Sequence, residues 1–293
     1  MRACWILLVM GLWVGAVQAD DLRVATFNIR YDASGDRGER DWKARRDLVA
    51  ETIGKMKPDV LGLQEAMDKQ KAYLEKTLPI YGVVGVGRDD GKTRGEYSPI
   101  FYRKDRFEVD DKELGTFWLS DSPEEPGSMS WGNSIPRICT WVRLTGKVGG
   151  ASFYVFNTHW DHQSQPSRER SAVLMAERIA GRKHGEEPVV VLGDFNATET
   201  NPAMVKLLTK QAVETNSLRE AFLLLHADQE NRRTGHGFGG GMTGKAMIDH
   251  VLITRSWSVR EAWIEYHRRG TMWPSDHFPV AAVLSLEPPA GEK

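Results

Sequence analysis

Residues 189–196 have the sequence Val189-Val190-Val191-Leu192-Gly193-Asp194-Phe195-Asn196. The four apolar residues predict a short buried strand, and Gly193 predicts a tight turn at its end. Asp194 and Asn196 are two positions apart, so their side chains point to the same side of an extended backbone. A carboxylate can take or orient a proton and an amide can donate a hydrogen bond, which together suit chemistry at a phosphate. A Gly-Asp pair is also common in ordinary turns, so the functional interpretation of this stretch depends on the other segments of the chain.

Four further segments place polar side chains where predicted strands end. They are residues 24–30 (VATFNIR), residues 60–65 (VLGLQE), residues 155–162 (VFNTHWDH), and the pair formed by residues 248–250 (IDH) and 275–279 (SDHFP). A single segment of this kind is usually a hydrogen-bonded surface feature. Five of them, brought to one rim by parallel strands, predict a catalytic centre.

The candidate metal ligands are mostly oxygen donors. Four of them lie in these segments: Asn28, Glu65, Asp194 and Asp276. Such hard oxygens suit Mg²⁺ or Mn²⁺. Zinc is the alternative because the chain has eight histidines, although no paired His or Cys spacing supports a zinc site. Asp161 and His162 could add a ligand pair, and capping of a loop by Asp161 is an equally good explanation.

Composition indicates a globular chain with an export signal. The 293 residues are 41% hydrophobic and 27% charged, with a formal net charge of −1, so a strongly basic nucleic-acid-binding protein is excluded. Arg2 is the only charge before Asp20, and the apolar residues 5–17 end in Ala-Val-Gln-Ala19. This pattern predicts a signal peptide over residues 1–19, with an uncleaved anchor as the alternative. Its removal leaves Cys139 as the only cysteine, which excludes an intramolecular disulfide.

Strand and helix patterns alternate along the remaining residues without repeats or a low-complexity linker. The predicted strands span residues 22–27, 60–63, 99–102, 138–144, 153–156, 189–192, 248–253 and 278–284. Apolar faces of helical period predict helices over residues 42–56 and 167–182. The glycine-rich residues 234–244 and the segment 120–136 are predicted loops that could form the walls of a substrate cleft. A single layered α/β or α+β domain is therefore expected.

In their order along the chain, these motifs resemble the endonuclease/exonuclease/phosphatase superfamily of metal-dependent phosphoester hydrolases. The order is FN (27–28), QE (64–65), H (159), GDFN (193–196), DH (249–250) and SDH (275–277), which covers essentially all of residues 20–293. The segments GEYSPIFYRKDRFE, GTFWLS and PRICTW are most similar to a secreted bacterial branch with no assigned substrate. The resemblance implies one catalytic domain over residues 20–293. It also implies a four-layer sandwich of two packed mixed β-sheets with helices outside.

The resemblance assigns the metal side and the attacking water to five residues. Asn28 and Glu65 match an amide and a metal-binding glutamate, and Asn28 is expected to contact phosphate or metal. Asp276 matches a further carboxylate on the metal side. Asp194 and Asn196 match the pair that orients the nucleophilic water and holds the transition state. Mg²⁺, with Mn²⁺ as a substitute, is the implied cofactor.

The resemblance also assigns two histidine–carboxylate pairs. His277 matches the histidine that contacts the scissile phosphate, and Asp249 matches its orienting carboxylate. His159 with Glu96 resembles a second pair found in the deoxyribonuclease-like branch. Both imidazoles are expected to be positively charged against the phosphate. Two arginines match phosphate contacts on the substrate side: Arg30 and Arg137.

The substrate follows less directly from the sequence. The FNIR segment and the His159–Glu96 pair favour a phosphodiesterase of nuclease or exonuclease type. A phosphatase, a sphingomyelinase and an inositol-phosphate hydrolase are the alternatives, and a binding module without turnover is the alternative from another class. The expected partner is a phosphoester, whether nucleic acid, phospholipid head group or small organic phosphate. No stable protein partner and no membrane anchor after cleavage are expected, and the expected location is secreted or periplasmic.

Overall fold

The computed structural model describes residues 21–209 and 217–286. The strands are β1 (Leu22–Asn28), β2 (Val60–Gln64), β3 (Tyr81–Val84), β4 (Ile100–Arg103), β5 (Phe107–Trp118), β6 (Ile138–Gly146), β7 (Ser152–His159), β8 (Val189–Asp194), β9 (Leu218–Glu220), β10 (Asp249–Thr254), β11 (Trp257–Ile264) and β12 (Val280–Leu286). The helices are α1 (Trp42–Met56), α2 (Asp68–Thr77), α3 (Gln165–Ala180), α4 (Pro202–Thr209) and α5 (Ala221–His226). The predicted signal peptide, residues 1–19, lies outside the described residues.

The strands form two six-stranded mixed sheets that pack face to face. The first sheet has the order β11-β12-β1-β2-β4-β3, and the second has the order β5-β6-β7-β8-β10-β9. Apolar side chains from both sheets form the central core, helices α1 and α2 cover the first sheet, and α3 and α4 cover the second. The predicted four-layer sandwich is therefore confirmed.

Strand β8 shows why the central strands have continuous apolar runs. Val190 and Leu192 point into the core between the sheets, whereas Val189 and Val191 point toward the helices outside the second sheet. Because both faces are covered, alternate side chains must all be apolar. Gly193 does not form the predicted turn, since β8 continues through Asp194. A Cβ atom at Gly193 would lie 2.6 Å from the Thr158 carbonyl oxygen, so close approach of the neighbouring strand explains this glycine.

The register of both sheets brings the polar strand ends to one rim. Strands β1 and β2 are parallel with Asn28 opposite Gln64, and β7 and β8 are parallel with His159 opposite Asp194. Strand β10 is antiparallel to β8, and its first residue, Asp249, lies opposite Asp194. The expectation that parallel strands bring all five segments together is therefore wrong for the last one, the pair formed by residues 248–250 and 275–279. These segments reach the rim at the amino ends of β10 and β12, which run antiparallel to their neighbours β8 and β1.

A buried amide network joins the two sheets directly below this rim. Gln64 Nε2 donates to Asn157 Oδ1 (2.7 Å), and Asn157 Nδ2 donates to the carbonyl oxygens of Leu63 (2.8 Å) and Pro99 (2.9 Å). A Cβ atom at Gly62 would lie 2.5 Å from Asn157 Oδ1, so glycine is required for this approach. The network fixes the spacing of the two sheets that carry the site.

The eight predicted strands and two predicted helices are present, with ends that shift by at most three residues. Strands β3, β5, β9 and β11 and helices α2, α4 and α5 were not predicted. Within the described residues, no helix is long and apolar enough to cross a membrane. Cys139 is a buried free thiol in β6.

His250 lies beside the predicted motif residue Asp249 but faces away from the rim. It is fully buried, its Nε2 lies 3.0 Å from the Ala197 carbonyl oxygen, and its Nδ1 lies 3.7 Å from Glu220 Oε1. Burial alone would lower the pKa of His250, and the Glu220 carboxylate outweighs this effect and raises it. His250 and Glu220 therefore form a buried ion pair that connects β10 with β9.

We expect stability to fall as pH rises through the raised pKa of His250. Below the ordinary histidine pKa of about 6.5 both states are protonated and the pair contributes fully, and its contribution is lost as folded His250 deprotonates. The slope for this one proton reaches at most about 1.4 kcal/mol per pH unit. Chemical denaturation from pH 5 to 9 should show this slope in the parent and in the exposed control Glu261→Gln. Glu220→Gln should reduce the slope by the share of His250 and leave the share of other groups with raised pKa values, such as His277, and an unchanged slope in Glu220→Gln would contradict the pairing.

Candidate active site

A cleft with an empty volume of about 970 Å³, including its open mouth, lies at the rim where the strand ends meet. Its lining consists of Arg30, Tyr31, Glu65, Arg88, Glu96, Ile135, Arg137, His159, His162, Asp194, Asn196, Asp276 and His277. Nine of the eleven predicted site residues are in this lining. The other two, Asn28 and Asp249, are fully buried directly behind it.

Three of the lining residues have left-handed backbone conformations although none is glycine. The φ angles are 56° at Arg30, 60° at Glu65 and 47° at Asn196, and each residue lies one or two positions after the end of a central strand. Such a conformation costs roughly 1–3 kcal/mol per residue and is concentrated at functional sites. Asn196 therefore reaches the cleft through a sharp turn and not along the extended backbone that the sequence suggested.

Asn28 holds two carboxylates in place from behind the cleft. Its Oδ1 accepts a hydrogen bond from the Arg30 backbone N–H (2.9 Å), which directs the Nδ2 amide toward the rim. Nδ2 donates to Glu65 Oε1 (3.0 Å) and to Asp194 Oδ2 (2.9 Å). Because Nδ2 donates to both carboxylates and the side chain is fully buried, Asn28 bridges Glu65 and Asp194 from behind.

Glu65 and Asp276 are the carboxylates best placed to hold a cation. Glu65 Oε2 accepts from the Tyr31 backbone N–H (3.1 Å), and Asp276 Oδ2 lies 3.8 Å from Arg30 Nη1. Burial raises the pKa of Asp276, and the nearby charge of Glu65 adds to that increase. Two crowded carboxylates that line an open cleft fit a hard divalent cation, which would neutralise their repulsion.

A second group of three ligand atoms is close enough to bind a metal but is better explained as a hydrogen-bonded array. Atoms of Asp194, Asp249 and His277 lie within 4.8 Å of one another. However, His277 Nδ1 lies 2.8 Å from Asp249 Oδ2, and a cation at this place would have to break that hydrogen bond. The hydrogen bond between His277 and Asp249 therefore explains why these atoms lie so close together.

His277 and Asp249 form the predicted dyad. Burial alone would lower the pKa of His277, but the charges of Asp249 and Asp194 raise it well above its ordinary value. The imidazole is therefore a cation at neutral pH, with its Nδ1–H donated to Asp249. Asp194 Oδ2 lies 3.8 Å from His277 Nδ1, and burial together with the charge of Asp249 raises the pKa of Asp194 to about 7. A carboxyl group with this pKa is suited to accept a proton near neutral pH.

The predicted hydrogen bond between His159 and Glu96 is absent. Glu96 Oε2 lies 4.0 Å from His159 Nδ1, because both Glu96 oxygens accept hydrogen bonds of 2.8 Å from the Arg88 guanidinium. Burial, Arg137 and Arg88 lower the pKa of His159 well below its ordinary value. The expectation of a second positive imidazole is therefore wrong, and His159 is neutral, with Nε2 3.5 Å from Asp194 Oδ2.

Arg137 lies in the cleft wall with one nitrogen that has no hydrogen-bond partner. Its Nη2 lies 2.8 Å from His162 Nδ1 and its Nε lies 3.5 Å from Asp161 Oδ2, whereas Nη1 is buried and has no hydrogen-bond partner. Asp161 Oδ1 accepts from two backbone N–H groups, those of Gln163 (2.9 Å) and Ser164 (2.6 Å). Asp161 therefore caps the loop, which was the alternative to a metal ligand.

The two predicted cleft loops contribute in different ways. Ile135 of the segment 120–136 lines the cleft, while Trp118 beside it is buried and donates from Nε1 to the Arg88 carbonyl oxygen (2.6 Å). The glycine-rich segment 234–244 lies behind the cleft: the backbone N–H of His236 donates to the Asp276 carbonyl oxygen (2.7 Å), and its ring stacks on Phe278 at 4.0 Å. This segment therefore supports Asp276 and contributes no residue to the lining.

Sequence reasoning missed Tyr31 and Arg88 in the lining of the cleft and Ser275 behind it. Arg88 lines the cleft and holds Glu96, and its position in a polar loop gives no signal of that role. Ser275 is buried and donates from Oγ to the Asn28 carbonyl oxygen (2.7 Å), which joins the SDH segment to the end of β1. Its place in the SDH motif was the available signal.

The chain is similar to known proteins in both sequence and structure. Residues 25–277 match the family model described as Endonuclease/Exonuclease/phosphatase family. An endonuclease/exonuclease/phosphatase of Bacteroides vulgatus is 36% identical with a TM-score of 0.82, and the alignment covers 92% of this chain and 100% of that one. A mannosyl-6-phosphatase of Bacteroides thetaiotaomicron is 32% identical with a TM-score of 0.81, covering 90% and 100%. Drosophila melanogaster Nocturnin is 22% identical, covering 94% of this chain and 44% of that protein. The chain spans about half the length of the curated relatives that it matches.

Proposed function

Because the chain belongs to the endonuclease/exonuclease/phosphatase family, whose members are phosphoester hydrolases, we propose that it hydrolyses a phosphomonoester with the help of a divalent cation. The observation that carries this proposal is the array in which cationic His277, held by Asp249, and the buried base Asp194 meet at one open cleft. The array provides both a proton acceptor for water and a positive group for phosphate.

The cation site that we propose consists of Glu65 and Asp276. Mg²⁺ or Mn²⁺ bound there would supply positive charge to the phosphate oxygens and the leaving oxygen. The buried amide of Asn28 fixes Glu65 in this site, and Arg30 lies beside Asp276.

The reaction that we propose is attack of water in line with the leaving oxygen. Asp194 orients the water and takes its proton while the water oxygen bonds to phosphorus and the P–O ester bond breaks. The leaving oxygen takes a proton from solvent. His277 and the free Nη1 of Arg137 hold the phosphate oxygens. Asn196 uses one Nδ2 proton for the Trp160 carbonyl oxygen (3.0 Å) and has the second for substrate.

A sugar phosphate is the substrate class we propose. The mannosyl-6-phosphatase is similar to this chain over its entire length, and three arginines line the cleft, which suits a doubly charged monoester. Diester cleavage was favoured in part by the His159–Glu96 pair, which is not hydrogen-bonded. A diester is therefore the second candidate, supported by the FNIR segment and by the openness of the cleft.

We expect Mg²⁺-dependent hydrolysis that EDTA abolishes and that His277→Ala reduces at least about 100-fold, since a positioned acid–base group contributes roughly 10²–10⁴-fold. The panel contains mannose 6-phosphate, p-nitrophenyl phosphate, bis-p-nitrophenyl phosphate, single-stranded RNA and DNA, and sphingomyelin. Preference for the monoesters would support a phosphatase, and preference for a diester would overturn that part of the proposal. A folded protein that binds Mg²⁺ and cleaves nothing would favour the binding module.

We also propose that the protein is exported, to the periplasm or the medium, because residues 1–19 combine Arg2, an apolar block and Ala-Val-Gln-Ala19. Expression of the complete chain in a bacterial host should yield an exported protein that begins at Asp20. Amino-terminal sequencing of the periplasmic fraction and the medium checks this. Cytoplasmic protein that retains residues 1–19 would contradict it.

A further inference from the structure

Arg45 in α1 is a fully buried arginine whose guanidinium donates only to backbone carbonyl groups. Nη1 donates to Ile29 O (2.5 Å) and Pro274 O (3.0 Å), Nη2 to Arg30 O (2.7 Å) and Tyr31 O (3.4 Å), and Nε to Arg40 O (2.9 Å). The five acceptors belong to three separate segments of the chain. One of these segments follows β1, and another directly precedes the SDH motif.

The charge of Arg45 has no ion-pair partner among the carboxylates of residues 21–209 and 217–286, although Asp276, Asp36 and Glu65 attract it through space. Burial lowers the pKa of Arg45 to about 10, so the side chain is still protonated at neutral pH. An unpaired buried charge is costly, and the five carbonyl dipoles are what compensate it here. A leucine or methionine would fill the same core position without this cost, so packing alone does not explain the residue.

Two peptide units lie between the guanidinium and the active-site side chains. In the unit that joins Ile29 and Arg30, the carbonyl accepts from Arg45 and the N–H donates to Asn28 Oδ1 (2.9 Å). In the unit that joins Arg30 and Tyr31, the carbonyl accepts from Arg45 and the N–H donates to Glu65 Oε2 (3.1 Å). The positive charge thus lies at the carbonyl end of each peptide dipole, and the active-site acceptors lie at the N–H end.

The same guanidinium also holds the segment that precedes the SDH motif on the other side of the site. Arg45 Nη1 donates to the carbonyl oxygen of Pro274. The next residue, Ser275, donates from Oγ to the Asn28 carbonyl oxygen (2.7 Å), and it is followed directly by Asp276 and His277. Gln70 of α2 adds a second donor to Arg30 O (2.9 Å), which helps to hold the left-handed backbone of Arg30. Arg45 therefore connects the peptide that orients Glu65 with the segment that carries Asp276.

We propose that Arg45 is a positioning residue that aligns Asn28 and Glu65 through these two peptide units and fixes Asp276 through Pro274. The inference rests on the proposed function in that Glu65 and Asp276 are the cation ligands. Its specific consequence is that removal of the guanidinium weakens cation binding and loosens the amides of Arg30 and Tyr31, while the sheets stay intact.

The test compares Arg45→Met and Arg45→Lys with the parent and with Arg46→Met, in which the neighbouring guanidinium over the Tyr73 ring is removed instead. Calorimetric titration with Mn²⁺, without substrate, should show about 10- to 100-fold weaker binding in Arg45→Met, the range for loss of a group that orients a metal ligand. The Mn²⁺ affinity of Arg45→Lys should lie between those of the parent and Arg45→Met, because lysine keeps the positive charge but lacks the planar guanidinium group. Hydrogen exchange at the amides of Arg30 and Tyr31 should accelerate in both variants and not in Arg46→Met.

Parent-like Mn²⁺ affinity and exchange in a folded Arg45→Met protein would overturn the inference. If Arg45→Met does not fold, the same measurements on Arg45→Lys decide it. If neither variant folds, hydrogen exchange of the parent protein provides the test. Rapid exchange at the amides of Arg30 and Tyr31 would overturn the inference, and protection equal to that of the amides in β1 would support it. These readouts need no turnover, so a parent that binds Mn²⁺ but hydrolyses no phosphoester would refute the proposed function and leave the role of Arg45 measurable.

Discussion

Asp249→Asn is expected to fold like the parent and to lose about three to four orders of magnitude in kcat, as in other sites where a buried aspartate orients a histidine. Asp249 is fully buried and its Oδ2 accepts the Nδ1 proton of His277 at 2.8 Å. An amide at this position removes the negative charge that keeps His277 protonated. It can also donate to Nδ1 and so stabilise the opposite tautomer.

The stability of the variant separates loss of chemistry from loss of fold. Asp249 and Asp194 are buried like charges, and their repulsion is one cause of the raised pKa of Asp194. Asp249→Asn removes this repulsion, so we expect a melting temperature equal to or above that of the parent. The exposed exchange Asp105→Asn serves as the control, with normal kcat. Near-normal turnover of a folded Asp249→Asn protein would refute the assignment of the dyad.

The positions of the site residues could be predicted from the sequence because strand ends have a recognisable pattern. Four central strands combine a continuous apolar run with a polar residue at the end, since both faces are covered and the rim is open. Asn28, Glu65, His159 and Asp194 were found in this way. The edge strands β5 and β11 were missed because they carry charged and apolar residues without clear alternation.

The orientation of the side chains could not be predicted in the same way, because it depends on partners that are distant in sequence. Asn28 was expected to face substrate or metal, but its Nδ2 donates to two carboxylates and its oxygen accepts from the N–H of Arg30, which lies in a left-handed turn. Glu96 was expected to bond His159, but Arg88 takes both of its oxygens. Arg45 lies in an amphipathic helix pattern where a charged residue is normally exposed. In each case the orientation depends on which of several donors and acceptors pair in the folded protein, and the sequence does not determine that choice in a way that can be read from it.

Asp194→Asn is the second change for which we expect a very large effect, a fall in kcat of at least about 1,000-fold, within the range for loss of a positioned base. Asp194 lies 3.5 Å from His159 Nε2 and 3.8 Å from His277 Nδ1, and no other carboxylate in the described cleft lies between the two histidines. Its Oδ1 accepts from the Asn196 N–H (2.9 Å) and its Oδ2 from Asn28 Nδ2 (2.9 Å). An amide has only one oxygen, so one of these two donors must face an NH₂ group.

The double variant Asp194→Asn/Asp249→Asn tests whether the two carboxylates act as one unit. If Asp249 works by preparing His277 for the same transition state that Asp194 serves, the second substitution adds little once the first is made. We therefore expect kcat of the double variant within about 10-fold of Asp194→Asn alone, although independent effects would multiply to a far larger loss. Steady-state kinetics on the preferred substrate, with circular dichroism to confirm folding, measures this. Multiplicative losses would mean that Asp194 and the His277–Asp249 dyad contribute independently to the rate and do not act as one unit.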